Sequence, residues 1–299
     1  MATLQNKIDF ALLISVTNAN PNGDPLNGNR PRVNYGGYGE ISDVCIKRKI
    51  RNRMQDMGYG IFVQSDDRCD DGFGSLSERA EANISVNTKE KFAKEKYAKL
   101  ACEKWLDIRS FGQVFAFKPK GKKDSKKEEN DDKEKKDGVS VGIRGPVSIH
   151  QAISCSPVDV DTLQITKSVN SEPAEKKSSD TMGSKHMVSF GLYLVKGAIN
   201  VQLAEKTGFS EEDAEVIKEC LKTLFTNDSS AARPDGSMEV CRLYWWKHNC
   251  KDGQYSSAKV HRTLSIKLKD GVDAPTSFDD YTEELAELPG LAPVVEDGI

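Results

Sequence analysis

Residues 16–32, VTNANPNGDPLNGNRPR, constrain the rest of the chain more than any other stretch. They follow an apolar strand pattern and precede a helical one. Between lie Asn18, Asn20, Asn22, Asn27 and Asn29, together with Gly23, Gly28, Pro21, Pro25 and Pro31. Proline fixes φ, whereas Asn and Gly tolerate positive φ. Ordering so many Gly and Asn residues costs backbone freedom. Such a loop is either a structural turn or a rigid surface whose backbone N–H groups meet a ligand. The spacing Asn18-x-Asn20-x-Asn22-Gly23 mimics a calcium loop. That loop needs early carboxylates and a bidentate Glu at its twelfth position. Here the early positions are neutral and the twelfth is Asn29, so no metal is expected.

The chain of 299 residues can bury a real core, as one decorated domain or two. It is 37% hydrophobic and 30% charged, which predicts long polar excursions. No apolar run reaches membrane-spanning length, and MATLQNKIDF carries no apolar signal region. A cytoplasmic protein without a membrane partner is expected. The seven Cys are scattered without C-x-x-C, and the four His have no metal-ligand spacing; disulfides, zinc and cofactors are not expected. The net charge of −3 hides an asymmetry, because residues 272–299 hold eight acids and no Lys or Arg. The body alone carries −3 + 8 = +5. A mildly basic body with an acidic tail permits nucleic-acid binding without establishing it.

Residues 7–16 alternate and then run apolar, which predicts a central strand. After the loop and a second turn, YGGYGE, a helix is expected over about 42–57. Ser42 or Asp43 caps it, and Val44, Ile46, Ile50, Met54 and Met57 form its stripe. Lys47, Arg48, Lys49, Arg51 and Arg53 crowd this helix, with only Asp43 and Asp56 near in sequence to compensate. They are either a solvated face or the footprint of a polyanion. A short strand over 58–63 follows, then an irregular stretch to about 87, a helix over 89–105 and a strand over 113–117. Arg109 lies just before that strand. The segment KPKGKKDSKKEENDDKEKKDG, residues 118–138, has no apolar anchor and reads as a mobile surface loop.

Residues 139–149 read as a strand pair or bent strand. Arg144-Gly145-Pro146 at its middle either aims Arg144 outward on a bulge or caps the core. Residues 154–189 read as a long hairpin arm outside the core. A strand pair over 188–203, a capped helix over 210–225 and strands over 239–247 and 259–268 complete the pattern.

The order strand, helix, strand, long insertion, strands, helix, strand fits an α+β, RRM-like (ferredoxin-like) pattern with large insertions. On that reading residues 1–64, 139–153 and 190–271 build the core, 65–138 and 154–189 are insertions and 272–299 is an acidic tail. The motifs NANPNGDPLNGNRPR, ISDVCIKRKIRN, DIRSFGQV, IRGPVSI, TMGSKHMVSFGLY and LAEKTGFSEED resemble the CRISPR-associated backbone subunit of the type I-C Cascade, a RAMP protein of the Cas-seven family. The resemblance spans most of the chain and departs mainly at residues 118–138.

The resemblance implies a non-catalytic subunit, copies of which stack along one CRISPR RNA as a helical filament for antiviral defence. It implies that the core is an RRM-like palm and that the insertions form finger and web (residues 65–138) and thumb (residues 154–189). The guide bases stay open to a target DNA strand. Implied partners are further copies of itself, the RAMP cap, large and small subunits of Cascade, and indirectly a recruited helicase-nuclease. It also implies RNA contacts. The cations Lys47, Arg48, Lys49, Arg51 and Arg53 would hold phosphates. Asn18, Asn20, Asn22 and Arg30 would meet phosphate and ribose. Arg109 and Arg144 would support them, and Thr166, Lys167, Met182, Lys185 and His186 would sit near a displaced nucleotide. A RAMP endoribonuclease that processes precursor RNA is the alternative. His186 beside Lys185 is the only suggestive pair for it. A phosphate-binding enzyme finds no Walker or dinucleotide motif.

Overall fold

The computed structural model describes residues 2–86, 92–116, 140–166 and 182–299. In chain order the first elements are β1 (Ile8–Ala19), β2 (Gly23–Asp24), β3 (Arg30–Pro31), β4 (Tyr38–Ile41) and α1 (Asp43–Asp56). Helices α2 (Leu76–Asn83), α3 (Ala93–Lys104) and α4 (Leu106–Phe111) lead to β5 (Gly112–Ala116) and β6 (Ser140–Arg144). Next come β7 (Val147–Ile149), β8 (Ala152–Pro157), β9 (Val160–Thr166) and β10 (Met182–Ile199). The chain closes with α5 (Val201–Thr207), α6 (Glu211–Lys222), β11 (Met238–Lys247), α7 (Ser257–His261), β12 (Leu264–Leu268), β13 (Tyr281–Leu285) and β14 (Val294–Asp297).

The fold is α+β around one large antiparallel sheet, ordered β14-β11-β1-β10-β8-β4, with β7 and β9 also paired to β10. Strand β1 lies at its centre because its side chains are apolar on both faces. Ile8, Phe10, Leu12, Ile14 and Val16 pack with α1, α5 and α6. Ala11 and Leu13 face the opposite way, against Val260, Leu264, Tyr281 and Leu291 of the C-terminal part. Asp9 on that second face is fully buried, and His248 answers it at 2.8 Å.

The large ring of Phe10 fits because residue 197 is glycine. A Cβ there would stand 2.1 Å from Phe10 Cζ and 2.7 Å from the Ser148 carbonyl. Gly197→Ala is therefore expected to cost about 1–3 kcal/mol, as overpacking does, measured by urea unfolding. An unchanged midpoint would show that the ring has room to move.

A smaller layer is built from α2, α3, β5 and β6 around Phe62, Trp105 and Phe115. Arg79 in α2 closes its edge, donating to both carboxylate oxygens of Asp71 at 2.5 and 2.8 Å. This hydrogen bonding holds the Asp71 carboxyl down at about 2. A depressed carboxyl stabilises the fold above its unfolded value, and that contribution fades as pH falls toward the folded value. Asp71→Asn should thus lower the urea midpoint near neutrality. The gap should be about half closed at pH ~3. A gap unchanged between pH ~5 and pH ~3 would refute the linkage.

Several local expectations are corrected. Residues 58–63 form bends and coil, since their polar groups serve α2 and Asp107 and pair with no sheet. Of the strand pair or bent strand expected over 139–149, the described residues form two strands that do not pair with each other. The Gly145-Pro146 break sends β6 to β5 and β7 to β10, in different sheets. The expected strand pair over 188–203 is the end of one strand, β10, followed by helix α5. The expected strand over 259–268 begins as helix α7, capped by Ser256.

The acidic segment is folded onto the body. Strand β13 pairs with β12, and β14 forms the sheet edge beside β11. Glu296 binds Lys218 and Lys222, and Asp297 meets Arg242 at 3.2 Å. The excess positive charge of the body is thereby partly answered from within the chain. Among the described residues no helix is long and apolar enough to cross a membrane.

Candidate nucleic-acid interface

The Asn/Gly/Pro loop is ordered by its own polar groups. The Asp24 carbonyl accepts from Asn27 N and Asn29 N at 3.0 and 2.8 Å, folding β2 back on β3. Asn18 and Asn29 take positive φ, as Asn does at low cost. Gly23 gives the Asn29 side chain its place, because a Cβ there would lie 1.9 Å from Asn29 Oδ1 and 3.0 Å from the Asn29 carbonyl and would turn that side chain away. Asn20 is buried and donates to the Asn29 carbonyl at 2.6 Å. Asn22 accepts from Ser42 N at 2.9 Å, tying the loop to the residue that caps α1. Asn20 and Asn22 therefore hold the loop in shape, while Asn18 stands exposed.

The α1 cations are engaged internally, which overturns the expectation that only Asp43 and Asp56 compensate them. Lys47 pairs with Asp43 at 2.9 Å. Arg48 donates to the Val63 carbonyl at 2.6 Å. Lys49 is buried against Asp228, with its ammonium 5.3 Å from the Phe225 ring. Burial pulls its pKa down and Asp228 opposes that pull. Arg51 meets buried Asp107 at 2.9 Å and lies over Phe111, and Arg53 donates to Thr223 at 2.7 Å. Arg109 grips Asp213 with two bonds of 2.8 Å, and Asp213 also closes the capping box of α6. These side chains brace α1 and α4 against the rest of the fold. The partners of Lys49, Arg51, Arg53 and Arg109 lie far away in sequence, so no local pattern announced them.

Arg30 behaves differently. It leaves β3 toward the hairpin of β9 and β10, where Met182 pairs with Thr166 and Val188 with Val160. Its guanidinium donates to Thr162 Oγ1 at 2.9 Å and faces His186 Nδ1 at 3.2 Å. Thr162 Oγ1 is also 2.9 Å from that nitrogen. A guanidinium only donates, so Nδ1 is assigned as the acceptor and the ring proton to Nε2. The loop and the root of the arm are thereby locked together. Thr162 was missed in the sequence. Its signal is the register, which sets it opposite His186 on one face of the hairpin.

Strand alternation sorts the rest of the arm. Thr166, Gln164, Ser184 and Met182 share the face of Thr162 and His186, and Gln164 donates to Met182 Sδ at 3.2 Å. Lys185 projects from the opposite face with Leu163 and Ile165, so Lys185 and His186 do not converge on one atom. Arg144 is exposed at the end of β6, and neither it nor Lys185 has an ion pair among the described residues. Lys167 and the 118–138 segment lie outside the described residues.

These features define a class: an antiparallel-sheet α+β protein that extends a polar hairpin whose root is pinned by a cationic, glycine-rich loop. Residues 6–286 match the family model for CRISPR-associated protein Cas7, and the chain belongs to that family. A CRISPR-associated protein Cas7 from Haloferax volcanii is 22% identical over 322 residues, covering 100% of this chain and 88% of its relative. Two solved chains described as CRISPR RNA-guided surveillance complexes, one of them pre-nicking, are 16% and 15% identical to it. They superpose with TM-scores of 0.49 and 0.47, covering 89% of this chain in both cases and 84% and 78% of their own length.

Proposed function

We propose that this chain is a non-catalytic backbone subunit of a type I-C surveillance complex, which binds CRISPR RNA and stacks copy upon copy along it. In this reading the central sheet with α1 and α6 is an RRM-like palm. The β9–β10 hairpin is the thumb, and the guide bases between thumbs stay open for a target DNA strand. The end copies meet the cap, large and small subunits, and the helicase-nuclease acts on the target afterwards. The observation that carries this reading is the pinned arm. Arg30, Thr162 and His186 form a cationic, hydrogen-bonding root from which the polar face of the hairpin leads outward. Membership of the Cas7 family supports it.

The test is light scattering after size exclusion, on nuclease-treated protein at two salt concentrations, with single-stranded RNA of two lengths. The expected result is a mass that rises in steps with RNA length. A protein that leaves RNA unbound at low salt would sink the reading. Incubation with labelled precursor RNA without divalent metal is expected to give no cut. A discrete product would favour the endoribonuclease instead.

A further inference from the structure

We infer that Tyr35 is a stacking platform for one unpaired RNA base, next to the root of the arm; this inference rests on the RNA-binding reading above. Tyr35 has 112% of its reference exposure, at the apex of the turn between β3 and β4. Turns of this kind ask for Asn and Gly, which occupy positions 34, 36 and 37, and not for an aromatic ring. The ring touches solvent on all sides although the turn beneath it is firmly built. Asn34 Oδ1 accepts from Gly36 N and Tyr38 N at 2.9 and 3.1 Å. Asn34 N donates to the Tyr38 carbonyl at 2.9 Å, and Gly37 N to the Asn34 carbonyl at 3.0 Å.

The turn is also fastened to the sheet. Val158 N donates to the Gly37 carbonyl at 2.9 Å and Gly39 N to Ser154 Oγ at 2.8 Å. Val158 and Thr162 are four residues apart, so the turn and the Arg30–Thr162–His186 cluster are fastened to one segment at most ~14 Å apart along the chain. That is about four bases at stacked spacing. An accessible ring carried on a firmly built turn near a cationic cluster is what a single-stranded base needs, because every base offers a flat face. A protein partner would instead demand a rim of surrounding contacts that excludes water, and the turn offers Asn34, Gly36 and Gly37 with the partly exposed side chains of Val33 and Tyr38.

The experiment uses the full chain with single-stranded RNA carrying 2-aminopurine at successive positions, comparing wild type, Tyr35→Phe and Tyr35→Ala. Unchanged urea midpoints verify that the exposed substitutions leave the fold intact. Tyr35→Ala is expected to weaken binding about tenfold without altering the salt slope, and to relieve 2-aminopurine quenching at one position per bound copy. Tyr35→Phe is expected to keep both. Equal affinity and equal quenching in Tyr35→Ala would overturn the inference and leave RNA binding standing. Loss of self-association alone, with short RNA bound normally, would overturn it in favour of a protein contact. A wild type that binds no RNA would remove this inference together with the reading beneath it.

Discussion

Replacing Asp107 with Ala is expected to cost about 3–5 kcal/mol of stability, because it strips partners from several groups at once. Asp107 is fully buried at the start of α4. One of its oxygens accepts from Phe62 N at 2.8 Å, and the other from Val63 N at 3.1 Å and Arg51 Nε at 2.9 Å. Removing it leaves two backbone donors and a largely buried guanidinium unanswered. Asp107→Asn keeps an acceptor oxygen but not the charge, so it should lose less. Both are read by urea unfolding, with the Ala variant expected to melt on the order of 10 °C lower. A loss below ~1 kcal/mol would mean that water replaces the carboxylate and that the site is less closed than the distances imply.

Shortening the arm should have the opposite profile, abolishing assembly while sparing the fold. Thr162 and His186 pair directly, so residues 163–185 can be replaced by Asn-Gly, the two-residue turn that suits a hairpin. The root contacts to Arg30 survive this change. Leu163, Ile165 and Met182 are exposed, so little apolar burial is lost. The urea midpoint should stay within ~1 kcal/mol of the parent. The RNA-driven rise in mass should vanish, with the filter-binding affinity down by at least about tenfold. Stepwise assembly that persists in this variant would show that the hairpin is not what grips RNA or the next copy.

What was legible in the sequence had local causes. The apolar run of β1, the Ser42 and Ser210 caps, the Asn/Gly/Pro loop and the strands of the hairpin arm follow from propensities within a few residues, although residues 154–157, expected in the arm, belong to β8 inside the central sheet. The fate of the α1 cations did not. Lys49 finds Asp228, Arg53 finds Thr223 and Arg51 finds Asp107, across separations of 179, 170 and 56 residues. No helical spacing encodes such pairs, so the same cations read either as a solvated face or as an electrostatic footprint. Arg30 stands out in the loop beside Arg32 alone, but its reach to Thr162 and His186 is revealed only by the strand register. Residues 259–263 were misread for a related reason. Val260 and His261 are buried, but on a short helix, and apolar periodicity over five residues does not separate helix from strand.

Strand β10 belongs to the arm and to the centre of the sheet alike. It runs for 18 residues, or about 60 Å. It bonds in turn to β9, β8 and β7 on one side while β1 follows it from Val188 to Ile199 on the other. Gly183, Gly191 and Gly197 within it keep negative or extended φ, so none of them is a swivel. The arm is consequently a lever and not a flap. Torque applied at Met182, the outermost described residue of β10, would pass along the ladder to the Phe10–Gly197 contact, fifteen residues away. Holding the tip should slow amide exchange along the whole of β10, whereas slowing confined to the outer residues would locate a hinge at Val188.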